Sequence, residues 1–245
     1  MKKRLFALAF CAMFTFSASA QQVVTGRITD ATDGTPVPGA SVFIANTTIG
    51  VASDASGRYS LTVPGRGSFE IVVSHVGYQS VFHKIDTPKD VHQYDVALEI
   101  AAIEEIVIKA AKTYKNNDVT LFWQKILGEK PSRNGMQVLN AEKVYFYLNS
   151  ENNVLRAWCQ EPIEVINHQT GYRIRYVLQS FEHNYQTNET TFYGMPHFEE
   201  LVPQNNRQKN NWEKKRREVY AVSLHHFMRA LFRGQLHPDF DGFFL

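Results

Sequence analysis

The stretch from Asp54 to Tyr78 constrains what this chain can fold into more than any other part of its sequence. It contains two strand-like runs, at 59–63 and 69–76, which a Pro-Gly-Arg-Gly segment joins. The Asp54 side chain can accept a hydrogen bond from the backbone two residues on, and Gly57 can adopt a left-handed φ without a steric penalty. These features predict the central hairpin of a β-sandwich, and they do not indicate a catalytic loop.

The first twenty residues have the pattern of a cleavable export signal. Three cations at 2–4 precede an apolar run at 5–16 and an Ala-Ser-Ala segment at 18–20. The run is too short to span a bilayer, which takes roughly 20 apolar residues. We therefore predict a signal peptide at 1–20, no transmembrane segment after its removal, and a mature protein that is periplasmic or associated with the outer membrane.

Loss of this signal changes the charge and the cysteine chemistry that we expect. Removing the three cations takes the formal net charge from +2 to −1, so neither charge nor compartment favours nucleic acid as a partner. Of the two cysteines only Cys159 remains, so no intrachain disulfide can form and packing must supply the stability. We interpret Cys159 as a small buried hydrophobic residue. No cofactor is predicted.

Short runs of alternating apolar residues recur between residues 21 and 99, which is the pattern of an all-β sandwich. The run at 69–76 is apolar on both faces and predicts a central strand, and a further strand is predicted at 81–85. In the other runs, alternate residues point to one face. These inward residues are Val24, Gly26, Ile28, Ala40, Val42, Ile44, Tyr59, Leu61, Val63, Tyr94, Val96 and Leu98.

Four motifs of this module resemble the carboxypeptidase regulatory-like domain. They are Thr-Gly-Arg-Ile at 25–28, Pro-Val-Pro-Gly-Ala-Ser-Val at 36–42, Asp-Ala-Ser-Gly-Arg-Tyr-Ser-Leu at 54–61 and Val-Gly-Tyr at 76–78. The resemblance implies a seven-stranded, transthyretin-like or Ig-like β-sandwich, as found at the N-terminus of many TonB-dependent outer-membrane transporters and related Gram-negative envelope proteins. The family name refers to an accessory domain and implies no peptidase activity.

We interpret the glycine, proline and polar residues of these motifs as structural, because turn chemistry explains them. Tyr78 is expected to cover the core with its ring while its hydroxyl reaches the surface. The structural set comprises Gly26, Pro38, Gly39, Asp54, Gly57, Tyr59, Gly77 and Tyr78.

Residues 100–117 are predicted to connect this module to the rest of the chain. Ile-Glu-Glu-Ile-Val-Ile at 103–108 resembles the segment that leads to the plug of TonB-dependent transporters. The residues that follow do not resemble the start of a plug, and no run of barrel strands appears. We interpret the connector as a spare edge strand and a polar linker.

Residues 118–245 are predicted to form an α+β domain, which makes the whole protein mainly β. Asp118 is the expected N-cap of a helix that ends at Gly128. Alternating runs at 144–148, 155–159 and 172–176 predict an antiparallel meander, with a further hairpin turn at 187–189.

A single amphipathic helix is predicted at 212–232, because apolar residues share one face at the helical period and Gly234 is placed to end it. Arg216 is expected to pair with Glu213.

This half resembles the region downstream of the sandwich in exported, carboxypeptidase regulatory-like proteins of unknown function, although Val222 stands where that family has glycine. Members run on further, so the resemblance implies a C-terminally truncated member that ends in an unpaired apolar strand at 243–245. The segments that carry it lie at 126–128, 157–167, 171–178, 193–201 and 212–231.

A zinc carboxypeptidase is the strongest enzymatic alternative. His197 and Glu200 have the His-x-x-Glu spacing of two zinc ligands, but such a site also needs a distant third ligand and a general base. The histidines at 225, 226 and 237 are too close in sequence to supply that ligand. The alternating strand and helix order of the peptidase fold is also missing, so we predict a protein without a metal site or enzymatic activity.

Trp158, Arg173 and Arg175 are the candidate ligand-binding residues, because two arginines share one strand face near an aromatic side chain. The predicted function is that of a binding or scaffolding protein of the cell envelope, related to outer-membrane transport or surface systems. Its partner would be an envelope protein or a glycan. A glycan-binding module and an accessory or cryptic metallocarboxypeptidase-related protein stay open as alternatives.

Overall fold

The computed structural model describes residues 22–87, 93–101, 114–131, 135–149 and 151–234. The first part of the chain contains seven strands: β1 (Gln22–Asp30), β2 (Ser41–Ile44), β3 (Gly50–Ala52), β4 (Arg58–Val63), β5 (Gly67–Ser74), β6 (Val81–Thr87) and β7 (Val96–Leu98). They form two sheets, with the strand orders β4-β1-β7 and β3-β2-β5-β6. The sandwich that the sequence predicts is thereby confirmed.

The two sheets share one apolar core, and the predicted alternation of inward residues supplies it. Val24, Ile28 and Leu61 come from one sheet, whereas Val42 and Ile71 come from the other, and all five are almost fully buried. Gly26 lies so close to the backbone carbonyl of Tyr94 that no side chain could fit there. A glycine at this position therefore serves packing, because its φ is not in the left-handed region.

The predicted hairpin between 59–63 and 69–76 is wrong. β4 pairs with β1, whereas β5 pairs with β2 and β6, so the Pro-Gly-Arg-Gly segment carries the chain from one sheet to the other. The turn that precedes β4 has the expected chemistry. Asp54 Oδ1 accepts hydrogen bonds from the backbone N–H groups of Ser56 at 2.8 Å and Arg58 at 2.9 Å, and Gly57 has a φ of +74°.

The second part of the chain forms one antiparallel sheet with the strand order β8-β11-β12-β10-β9, and β13 also pairs with β12. The order is not a meander, because the long β12 pairs with β13 along one edge and with β11 and then β10 along the other. The strands are β8 (Met136–Val138), β9 (Val144–Asn149), β10 (Val154–Cys159), β11 (Ile163–Asn167), β12 (Tyr172–Asn184) and β13 (Glu189–Glu200), with a 3-10 turn at Ala141–Lys143.

Helix α1 (Asn116–Leu127) packs on one face of this sheet. Its Phe122 is fully buried, with ring centroids 4.8 Å from Phe181 and 5.2 Å from Phe146. Asp118 is the third residue of the helix and not its N-cap as predicted, but its carboxylate still accepts the N–H of Lys115 at 2.6 Å. Asp118 thus supplies the reciprocal half of a capping box, in which the third helical residue accepts the N–H of the N-cap residue.

The single C-terminal helix predicted at 212–232 is also wrong. Helix α2 (Asn206–Ala221) ends before Ser223, and helix α3 (Leu224–Phe232) begins after it. Ser223 Oγ accepts the N–H of His226 at 3.1 Å, which makes it the N-cap of α3. Serine is a common N-cap and can mark the start of a helix. The apolar periodicity nevertheless continues through Ser223, so it does not show that one helix ends and another begins there.

Trp212 of α2 fixes the turn between β11 and β12. Its indole Nε1 donates to the carbonyl oxygen of His168 at 2.9 Å. Its ring covers Gly171, where a side chain would collide with it. The Trp212 side chain therefore packs over the outer side of this turn.

Arg216, one helical turn further on, holds the same turn. Its guanidinium donates to the carbonyl oxygen of Thr170 at 2.7 Å and to the Glu200 carboxylate at 2.9 Å, and it lies 4.0 Å above the Tyr172 ring. The partner of Arg216 is thus Glu200 and not Glu213 as predicted.

Among the described residues, no helix is long and apolar enough to cross a membrane. The predicted signal peptide at 1–20, the edge strand at 103–108 and the terminal strand at 243–245 lie outside the described residues.

Trp212→Ala is expected to lower the free energy of unfolding by about 3–5 kcal/mol, because Trp212 is only 8% exposed and its removal leaves a cavity. Chemical denaturation monitored by circular dichroism measures this loss. The matched control is Val219→Ala on the same helix, where the side chain is 50% exposed and a change within about 0.5 kcal/mol is expected. Equal losses in the two variants would contradict the role of Trp212.

Candidate functional site

The two parts of the chain meet at an apolar contact, which we call the joint. Phe43, Ala45 and Val72 point away from the sandwich core and pack against Val177 and Met195 of the C-terminal sheet. This contact explains why the run at 69–76 is apolar on both faces: one face supplies the sandwich core and the other supplies the joint. Phe82 of β6 lies partly buried at its margin.

Backbone hydrogen bonds fix the register of the joint. The segment after β2 runs beside β13, where the Asn46 N–H donates to the Pro196 carbonyl oxygen at 2.8 Å. The Phe198 N–H donates to the Thr47 carbonyl oxygen at 3.0 Å. The edge of β13 is therefore partly covered by the sandwich.

His197 is buried inside the joint, with 6% of its surface exposed. Its ring stacks on Phe43 with centroids 4.8 Å apart, and it lies against Gly50. Neither ring nitrogen has a well-aligned hydrogen-bond partner among the described residues. Burial lowers the pKa of His197 below its ordinary value of 6.5, and Arg175 adds to this shift, whereas Glu199 and the Thr48 backbone oppose it. The folded protein therefore favours the neutral form of the ring.

Protonation of His197 should weaken the fold at acidic pH. In the unfolded chain the ring takes up a proton near its ordinary pKa of about 6.5, whereas the joint disfavours the charged form. The stabilising contribution of the neutral ring to the free energy of unfolding should therefore be complete above pH 6.5. It should be lost progressively as the pH falls below 6.5. The loss for one group is at most about 1.4 kcal/mol per pH unit.

Denaturation curves of the wild type and of His197→Gln between pH 8 and pH 5 measure this effect. The variant should show a shallower decrease below pH 6.5. A residual slope is expected from His183, because burial also lowers the pKa of that side chain. Identical slopes in the two proteins would rule out the proposed role of His197.

Charged groups of the C-terminal sheet surround the joint. Arg175 Nη1 lies 3.2 Å from a carboxylate oxygen of Glu199, and its Nε lies 3.8 Å from one of Glu164. Arg173 is directly opposite Glu199 on β13. The Nε atoms of both arginines are buried without a hydrogen-bond partner among the described residues. The charge of Arg175 is thus balanced by nearby carboxylates.

A cavity of about 510 Å³, which we call the cleft, opens beside the joint. Residues 78–80, 82 and 101 of the first part line one wall, and residues 158–162 and 177–179 of the second part line the other. Its volume is in the range of about 300–1,000 Å³ that is typical of small-ligand sites. Since both walls are needed, the cleft exists only while the joint is closed.

The structure places the predicted ligand-binding residues at different points along this contact. Trp158 lines the cleft. Arg175 lines a neighbouring cavity of about 240 Å³, which shares Glu161 and Pro162 with the cleft. Arg173 lines neither of these two cavities. Trp158 and Arg175 therefore lie near each other, but they do not form one pocket.

Three glutamines of the cleft were not among the predicted site residues: Gln79, Gln160 and Gln179. Gln179 lies at an irregularity of the β12–β13 pairing, where the register shifts between Leu178 and Ser180. Such bulges redirect side chains and are common beside functional sites. Periodicity cannot reveal this residue, because the bulge depends on strand pairing.

The structural motif residues take part in turns and in close contacts. Tyr59 donates its hydroxyl to the Tyr94 carbonyl oxygen at 2.7 Å, and Tyr78 donates to Asp30 Oδ2 at 2.9 Å. Gly39 and Gly77 have positive φ values of 75° and 87°. The Tyr78 hydroxyl thus has a carboxylate partner, and its ring also lines the cleft.

Strand geometry separates His197 from Glu200, the two residues with the spacing of zinc ligands. His197 and Glu200 both belong to β13, and residues three apart on a strand point to opposite faces. His197 faces the sandwich, whereas Glu200 is exposed and binds Arg216. In the part of the chain that the structure describes, no three His, Cys, Asp or Glu side chains could hold a metal ion together.

The comparisons with known proteins identify the first module. Residues 24–108 match the family model of the CarboxypepD_reg-like domain. The first part of the chain therefore carries a CarboxypepD_reg-like domain, which confirms the resemblance of its four motifs.

Two relatives are TonB-dependent receptors. TonB-dependent receptor P39 of Formosa agariphila is 35% identical over 119 residues, which cover 46% of this chain and 11% of the receptor. TonB-dependent receptor SusC of Bacteroides thetaiotaomicron is 32% identical over 120 residues, which cover 49% of this chain and 12% of the receptor. The match thus spans only about a tenth of the length of these relatives.

A solved structure of a protein of unknown function from Bacteroides fragilis is also similar. It is 13% identical to this chain and covers 75% of it, with 84% of that protein included and a TM-score of 0.25. A score this low carries no argument about fold or function.

Proposed function

We propose that this protein is an exported, non-enzymatic binding or scaffolding protein of the cell envelope, associated with outer-membrane transport. The sandwich would act as a platform that holds the second domain in a fixed orientation.

The joint is the observation that carries the proposal. Phe43 and Val72 are 1% and 0% exposed, so the outer face of one sandwich sheet is used to hold the C-terminal sheet. A domain that uses part of one sheet face to hold a neighbouring domain has the role expected of a platform. The contact also creates the cleft, which gives the pair of domains a binding surface that neither has alone.

The envelope association is supported by the relatives and by the predicted export signal. Both relatives described above are named TonB-dependent receptors, and each match covers just under half of this chain. Export through the predicted signal at 1–20 would bring this protein into the compartment where such receptors are assembled.

The absence of enzymatic activity is supported by the chemistry of the candidate groups. Burial raises the pKa of the Cys159 thiol to about 11, so the nucleophilic thiolate is scarce at neutral pH. Asp54, Tyr59 and Tyr78 use their polar atoms in hydrogen bonds within the sandwich. Nothing in the comparisons points to an enzymatic reaction.

Chemical crosslinking in intact cells, followed by affinity purification from envelopes, tests the proposal. The wild-type protein should fractionate with the envelope and capture an outer-membrane TonB-dependent receptor. Met195→Asp should reduce that capture several-fold, because a buried charge in the joint separates the two domains. Failure to capture any such receptor with several crosslinkers of different length would overturn the proposal.

The matched control for this variant is Val202→Asp, which introduces the same charge at a side chain that is 90% exposed. Capture by this control should equal that of the wild type. The milder Phe43→Ala variant extends the test if Met195→Asp does not fold. Equal capture by all three variants would show that the fixed arrangement of the domains is not what the partner recognises.

A further inference from the structure

The geometry of the cleft points to a binding site for a neutral carbohydrate. This inference rests on the proposed function of a binding protein and names the class of its ligand. Three observations converge on it: an aromatic side chain in the wall, amide side chains at the opening, and the absence of uncompensated charge among the residues that line the cleft.

Trp158 supplies the aromatic surface. Its indole stacks on Tyr145 of the neighbouring strand, with centroids 6.0 Å apart and an interplanar angle of 25°. This stacking holds the indole in one orientation, so less side-chain entropy is lost when a ligand binds. The apolar C–H face of a sugar ring packs well on such a flat, preorganised aromatic surface.

Gln79, Gln160 and Gln179 supply the polar groups, and they come from three separate segments of the chain. No hydrogen bond of their side-chain amides to another described residue is present. A carboxamide offers both donors and acceptors, and each sugar hydroxyl is likewise both a donor and an acceptor. Three such amides around one aromatic ring therefore match a ring with several neighbouring hydroxyl groups.

The charge of the cleft favours a neutral ligand over an anionic one. Glu161 is its one carboxylate, and it forms an ion pair of 2.9 Å with Lys143. Arg175 opens into the neighbouring cavity, where carboxylates of Glu164 and Glu199 lie beside it. The arginine predicted to contact a polyanion thus has its charge already balanced.

The size of the cleft favours a short chain of sugars over a single small molecule. The cleft lies between two domains, and its volume of about 510 Å³ exceeds what one ring fills. A sugar that contacts Trp158 on one wall would face Gln79 and Ser80 on the other wall. The Ser80 hydroxyl, which donates to Ser74 Oγ at 3.0 Å, can still accept a hydrogen bond.

Isothermal titration of the purified protein with maltohexaose, cellohexaose, laminarihexaose and mannohexaose tests the inference. At least one of these neutral probes should bind with a Kd on the order of 1 mM or tighter, and Trp158→Ala should weaken it at least about tenfold. An oligogalacturonate serves as the charged comparison and should bind more weakly than the best neutral probe.

Two further variants keep the result interpretable. Gln179→Leu removes one amide without disturbing a buried contact and should weaken binding several-fold. Trp123→Phe changes a tryptophan that packs against Phe122 beneath the other face of the sheet, and it should leave binding unchanged.

The outcomes separate this inference from the proposed function. Capture of a receptor without binding of any neutral probe would overturn the carbohydrate site and leave the scaffolding role intact. Tighter binding of the oligogalacturonate than of every neutral probe would overturn the neutral class. Binding that survives both Trp158→Ala and Gln179→Leu would place the sugar elsewhere on the protein.

Discussion

The packing of Phe43 and Val72 against Val177 and Met195 fixes how the two domains are arranged. Each domain has its own core, but neither core explains why apolar side chains point away from the sandwich on β2, β5 and β6. Exposed together, these side chains would form an apolar patch that soluble domains avoid. Their burial fixes the relative position of the two sheets, and both walls of the cleft follow from that position.

The local parts of the fold could be predicted from the sequence because local rules determine them. Alternation places Val24, Ile28 and Leu61 in the sandwich core, and the chemistry of Asp54 and Gly57 shapes a turn wherever it occurs. Strand partners could not be predicted in this way. Periodicity predicts which face of β4 and β5 is buried. It does not predict whether the two strands pair with each other or belong to different sheets.

The candidate site was predictable only where one side chain carries its own signal. Trp158 could be singled out as an aromatic residue near charge, whereas Gln179 depends on a bulge and Gln79 on the docking of another domain. The spacing of His197 and Glu200 was misleading for a related reason. A His-x-x-Glu pair converges on a metal when the backbone is helical, but on the extended β13 its members point apart.

The joint combines apolar packing with buried polar atoms. Both ring nitrogens of His197 and the Nε atoms of Arg173 and Arg175 are buried without a well-aligned hydrogen bond among the described residues. Each such atom loses the hydration that it has when the domains separate. The two cores contain no comparable cluster among the described residues.

Opening at the joint would expose a smaller apolar cluster than unfolding either core would, because the joint contains fewer buried side chains than each of the two cores. On opening, the sandwich residues Gly50 and Phe43 would separate from His197 of the C-terminal sheet. Each domain would keep its internal hydrogen bonds. The cleft lies at the edge of this contact and takes its walls from both domains. A ligand that touches both walls binds only the closed form, so it must stabilise the joint by the free energy of its own binding.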